Sequence, residues 1–120
     1  MSDFTKLTIW QKAHNLTISI YKLTSKLPAE ERLGLASQLR RAAVSVESNI
    51  AEGESKYSTK DKLNFFIQSR SSAAEIQTQL LIVSDIYKQL SKESIMLKSE
   101  YEILGKQINK LISFRRGKNE

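Results

Sequence analysis

The sequence predicts an all-α protein, an antiparallel up-down four-helix bundle forming one domain over residues 1–120, and three observations point there. Apolar residues recur at helical spacing in four separate stretches, no segment alternates apolar and polar residues as a half-buried strand does, and 120 residues include only one Pro and four Gly, so sharp turns are few. An amphipathic helix buries its stripe only against another element. Four such helices on short connections bury theirs against one another.

Ile9, Ala13, Leu16, Ile20, Leu23 and Leu27 follow at intervals of four, three, four, three and four, laying one stripe down a first helix from about Thr8 to Lys26. Thr8 is the expected N-cap and Pro28 the stop. The segment AEERLGL opens a second helical region, with Glu30 and Glu31 suited to the positive end of a helix dipole and Gly34 a brief interruption. From there Leu35, Leu39, Ala42, Val46 and Ile50 continue to Gly53, the expected C-terminal stop. EGESKYSTKDK, from Glu52 to Lys62, is polar and reads as the longest loop. Within it, Ser58 followed three residues later by Asp61 forms a variant capping box, so a third helix is expected to start there. That helix extends to about Leu90 on Phe66, Ser69, Ala73, Ile76, Leu80, Val83 and Tyr87. After LSKES, the residues Leu97, Tyr101, Leu104, Ile108 and Leu111 mark a fourth helix from about Ser94 to Phe114, ending in the basic tail RRGKNE.

Composition narrows the function classes. No run approaches the eighteen or so apolar residues of a membrane span, and MSDFTKLTIW lacks the basic start and apolar run of a signal peptide, so a soluble, cytoplasmic protein without membrane contact is expected. The absence of Cys excludes disulfides, thiolate metal sites and Cys nucleophiles. Lys and Arg outnumber Asp and Glu by 19 to 13, giving a net charge of +6 that suits nucleic acid or another acidic partner and also favours solubility.

Two helices carry more apolar surface than one core absorbs. In the third, Leu63, Ile67, Ala74 and Leu81 form a second row about 100° around from the first. In the second, the side opposite the core stripe holds Ser37, Val44, Ser48 and Ala51, small enough for another helix to approach closely. Self-association through these two helices follows, with Val44, Ala51, Leu63, Ile67, Ala74 and Leu81 as the expected interface.

Catalysis has little support. His14 is the only histidine, and a lone helical His is usually packed or at the surface. No metal motif, phosphate-binding glycine loop or nucleophile elbow occurs, so neither enzyme activity nor a metal or cofactor is expected. Arg40 and Arg41 lie on different sides of their helix, about 100° apart, and are not expected to meet one ligand unaided. Arg41, Ser45, Ser48 and Glu52 share a stripe with Asn49 beside the core, which reads as an Arg–Glu network and a buried amide that fix register or subunit packing. Arg70 and Gln77, interrupting the second apolar row of the third helix, read the same way.

The segments LTIWQKAHNLTISIYKLTSKLP, ERLGLASQLRRAAVSVESNIAEG, KDKLNFF and SSAAEIQTQLLI resemble successive parts of the four-helix-bundle family of 23S ribosomal RNA intervening-sequence proteins. The likeness covers roughly residues 4 to 90, with QLRRAAVSVESNIAEG its most specific piece. Through relatives of the accessory variability determinant of diversity-generating retroelements, the resemblance implies a basic, ring-like homopentamer and, for some members, nucleic-acid association without an established catalytic activity. It marks Arg40, Arg41, Ser45, Asn49, Glu52 and Gly53 as signature positions. Where relatives commonly carry Ala-Arg-Gly-Ser, this chain has Ser69, Arg70, Ser71 and Ser72, which bears on the closest helix contact there.

The expected function is a nucleic-acid-binding scaffold. Five copies of +6 concentrate about +30 in one ring. The expected contacts are Lys56, Lys60 and Lys62 around the long loop, with Lys106, Lys110, Arg115, Arg116 and Lys118 toward the C-terminal end. Binding to RNA or DNA is expected to follow shape and charge, since no recognition module is visible. The alternative is an assembly hub that docks a protein such as a reverse transcriptase.

Overall fold

The computed structural model describes residues 3–118, with the backbone alone at Lys118. Four helices make up almost all of it: α1 (Thr8–Thr24), α2 (Leu35–Ser55), α3 (Thr59–Ile86) and α4 (Ser91–Lys118). Single 3-10 turns at Phe4–Lys6, Ala29–Glu31 and Lys88–Leu90 join or precede them, and no strand occurs among the described residues.

Side-chain contacts fix the order of the helices around the core. His14 meets Glu47 while Thr24 meets Arg40, so α1 and α2 run antiparallel. Ser45 meets Ser72 and Gly53 abuts Phe66, which reverses the direction again between α2 and α3. Ser84 with Ser91 and Arg70 with Asn109 do the same for α3 and α4, and Lys12–Glu100 with Lys26–Glu93 close the circuit from α4 to α1. The body measures 49 × 21 × 20 Å, its long dimension set by the two 28-residue helices, each about 42 Å at 1.5 Å per residue.

The core is the set of stripes read from the sequence. Ala13, Leu16, Ile20 and Leu23 meet Leu39, Ala42, Val46 and Ile50, then Phe66, Ala73, Ile76, Leu80 and Val83, then Tyr101, Leu104 and Ile108, all buried. Ser69 occupies its expected place in the α3 stripe because its Oγ donates to Val46 O at 2.7 Å across the α2–α3 seam, so the buried hydroxyl is satisfied.

Several boundaries move for local reasons. Thr8 is the first helical residue, not the cap; Leu7 precedes it in extended backbone without a side-chain cap. Gly53 does not stop α2: it lies inside the helix, which continues to Ser55 before Lys56 turns extended. The polar loop therefore shrinks to Lys56, Tyr57 and Ser58. Ser58 caps α3 as expected, its Oγ accepting from Asp61 N–H at 3.1 Å. At the far end α3 stops at Ile86 and α4 starts at Ser91, earlier than the stripe indicates. The expected basic tail is likewise helical as far as Lys118, so Arg115 and Arg116 belong to the last turns of α4. Ser71 is exposed; the close contacts between α2 and α3 fall at Ser69, Ser72 and Gly53.

Candidate nucleic-acid interface

The end of the bundle where α2, α3 and α4 meet is organised around Glu54. Arg115 Nη2 donates to Glu54 Oε1 at 2.8 Å, with the two side chains only 20% and 10% exposed. Lys62 Nζ donates to the backbone oxygen of the same Glu54 at 2.9 Å, placing a cation against the carbonyl end of α2. The Arg115 guanidinium also lies 5.9 Å from the Phe66 ring centroid, and Lys56 Nζ lies 5.1 Å over Phe65. Three of the expected nucleic-acid contacts, Lys56, Lys62 and Arg115, are thus already engaged within the subunit, Lys62 and Arg115 at the end of α2 and Lys56 against α3.

The other expected contacts differ. Lys60, Lys106, Lys110 and Arg116 are exposed and make no hydrogen bond or ion pair among the described residues. Lys60 opens α3, while the other three lie on the second half of α4, which approaches the same end of the bundle. Lys118 was assigned with them, and its side chain lies outside the described residues. No sequence signal separates the two groups, because Glu54 meets Arg115 across 61 positions and a charge count treats all Lys and Arg alike.

The signature positions divide as well. Asn49 Nδ2 donates to Ser45 O at 2.9 Å and Ser45 Oγ at 3.0 Å, and Ser45 Oγ lies 2.8 Å from Ser72 Oγ. This half-buried chain of polar groups ties α2 to α3 within the subunit. Gly53 packs on Phe66, and Glu52 is exposed. The Arg–Glu network expected along Arg41 and Glu52 does not form among the described residues. Arg40 instead reaches α1, donating from Nε to Thr24 Oγ1 at 2.8 Å and from Nη2 to Tyr21 O at 3.4 Å, with its guanidinium 4.5 Å from the Tyr21 ring centroid. Arg40 and Arg41 both line one groove with Arg32, the other wall of which comes from α1 and the α1–α2 connection. Concavity between two helices supplies what one helix lacks. Arg32, in the α1–α2 connection, was not singled out by the sequence.

His14 stacks on Trp10 with ring centroids 4.9 Å apart, and its Nδ1 lies 3.0 Å from Glu47 Oε2. Nearby, burial first and the Glu47 charge second push the Tyr101 phenol above its usual range. Glu47 was another position that the sequence did not mark; its partner is 33 residues away. Among the described residues no group of three or more His, Asp or Glu is placed to hold a metal ion, and no helix is long and apolar enough to cross a membrane.

The six expected interface residues form two separate surfaces. Val44, 41% exposed, lines the groove between α1 and α2, and Ala51 is half-buried farther along α2. On α3, Ala74 and Leu81 are exposed, while Leu63 and Ile67 pack partly against the core. Arg70, in the same row, reaches Asn109 of α4 at 2.9 Å, so this row borders α4. One surface thus faces the α1 side of the bundle and the other the α4 side of α3.

A family profile described as 23S rRNA-intervening sequence protein matches residues 5–110. No curated protein matches the chain.

Proposed function

The chain belongs to the 23S rRNA-intervening sequence protein family, and from that premise we propose that it is a non-catalytic scaffold that assembles into a ring and binds nucleic acid without strong sequence preference. The observation that carries the binding reading is the set of exposed, unpaired cations Lys60, Lys106, Lys110 and Arg116 on a chain of net charge +6. Unpaired surface cations retain their full attraction for phosphate, whereas Arg115 is already neutralised by Glu54. Repetition of the set around a ring multiplies the field.

Assembly is supported by the two apolar surfaces. A two-fold dimer needs one self-complementary patch, while a closed ring needs two different patches that meet head to tail. The Val44–Ala51 surface and the Ala74–Leu81 surface are different in residue content and lie on different sides of the bundle. Five copies is the number that the resemblance to relatives of the accessory variability determinant implies.

The test is a salt titration of affinity for mixed single- and double-stranded oligonucleotides. Changing Lys60, Lys106, Lys110 and Arg116 together to Gln is expected to flatten log affinity against log salt by about 0.9 per lost phosphate contact on duplex DNA and to leave the helical circular dichroism intact. Absence of wild-type binding at low salt rejects the nucleic-acid reading. A second reading, a protein-docking hub, is favoured by apolar side chains on the outer face of α4, where Ile95, Met96 and Ile103 are 40%, 62% and 45% exposed. It takes precedence if binding is absent.

A further inference from the structure

We propose that the groove between the end of α1 and the first half of α2 is a phosphate-binding site built on Arg32, Arg40 and Arg41, with Val44 alone among its lining residues belonging to the proposed subunit contact. The groove has a volume of about 620 Å³, enough for a pyrophosphate or a nucleotide phosphate chain, and no carboxylate lines it. Glu31, the acid adjacent to Arg32 in the chain, is directed elsewhere, accepting from the Tyr87 hydroxyl and from Leu35 N–H. Three arginine residues therefore line one concavity with no carboxylate among the lining residues.

The three differ in ways that suit recognition. Arg40 is half-buried and preset: Thr24 Oγ1 takes its Nε–H, Tyr21 O takes one Nη2 hydrogen, and the Tyr21 ring supports the plane from one face. Of its five N–H donors, three remain for a ligand. A guanidinium held in this way loses little freedom on meeting a phosphate, and its flat fork matches two phosphate oxygens at once. Arg32 and Arg41 are exposed and make no hydrogen bond or ion pair among the described residues, so they are able to close on the ligand from either side. Ser37, on the same wall, adds a hydroxyl donor. Thr24 Oγ1 donates its own hydrogen to Ile20 O at 2.8 Å, which leaves its lone pair pointing at Arg40 and fixes the polarity of the arrangement.

The phosphate has two possible sources, a nucleic-acid backbone or a small phosphorylated molecule, and the site itself requires only the shared group. Its nucleic-acid source alone rests on the function proposed above. Pyrophosphate and a twelve-nucleotide oligonucleotide are the two probes, each titrated into the full isotopically labelled chain while backbone amide and arginine Nε–H resonances are followed. Arg32→Gln with Arg41→Gln is the test variant because both side chains are exposed and carry no internal bond. Lys6→Gln, before the start of α1 and so at its opposite end from the groove, with Lys98→Gln on α4 removes the same charge without touching a lining residue.

Saturable pyrophosphate shifts confined to the Arg40 Nε–H and its groove neighbours are expected, weakened about tenfold or more in the Arg variant and unchanged in the Lys variant. Shifts that do not saturate, that spread over the whole basic surface, or that respond equally to both variants overturn the site. Given the pyrophosphate result, an oligonucleotide that perturbs the same resonances and is weakened by the Arg variant identifies a nucleic-acid source. One that binds wild type and Arg variant equally, or does not bind, identifies a small phosphorylated ligand, and complete failure to bind rejects the nucleic-acid function while the groove stands. If wild type ignores pyrophosphate but the Arg variant loses mass on native mass spectrometry, the groove is a subunit contact and the proposal fails.

Discussion

At Gly53 the constraint on residue type is a neighbouring ring. A Cβ there would lie 2.6 Å from Phe66 Cε1 and 3.2 Å from Lys62 O, and Phe66 is fully buried with no room to retreat. Gly53→Ala gains about 1 kcal/mol of helix propensity and meets an overpacking cost of about 1–3 kcal/mol, so a net loss is expected in urea unfolding. A gain in stability would show that Phe66 relocates easily. Tyr87 gives a pH signature at the same scale. Its hydroxyl donates to Glu31 Oε2 at 2.5 Å, and that hydrogen bond, with some burial and the charge of Glu31, pushes the phenol up to about 12 from 10.0. The raised value means that the folded state holds the proton more tightly, so the contribution is complete below pH 10.0 and is lost as pH rises through about 12. Tyr87→Phe is expected to remove both the late phenolate step in ultraviolet titration and that share of alkaline destabilisation.

Helix α4 depends on an anchor near its end. Arg115 and Glu54 are both largely withdrawn from water, so Arg115→Gln removes a charge-assisted hydrogen bond across the α2–α4 seam and is expected to cost about 1–3 kcal/mol in urea unfolding. Amide exchange should accelerate first over residues 110–118, and uniform acceleration throughout the chain would contradict a local anchor. The α4 boundary also shows where sequence reading runs out. Its apolar stripe identifies the interior of the helix, since Leu97, Tyr101, Leu104 and Ile108 repeat at helical spacing and are partly or fully buried. The stripe says nothing about residues 115–118, which stay helical because a partner 61 positions away holds them. Gly53 fails as a stop for the same kind of reason: its local conformational freedom is irrelevant once Phe66 occupies the space of its side chain. Periodicity reads core positions well because burial repeats with the helix turn, and it leaves long-range polar partners such as Glu54, Glu47 and Thr24 unread.

At the scale of the whole molecule, the proposed assembly makes a demand on mass. Val44 and Leu81 are 41% and 40% exposed in the subunit, so a charge at either position is hydrated in the monomer and desolvated in a contact. Val44→Glu and Leu81→Glu are each expected to reduce the mass seen by native mass spectrometry while the helical circular dichroism persists. Lost helicity in both variants would mean that these side chains hold the fold together instead. Because the two surfaces are different and sit on different sides of one bundle, the two defects are not equivalent. A Val44→Glu subunit keeps its α3 surface, and a Leu81→Glu subunit keeps its α2 surface. Mixed in equal amounts, two preparations that are each monomeric should therefore complement once and only once, giving a heterodimer in which every remaining free surface carries a glutamate and no third subunit is able to join.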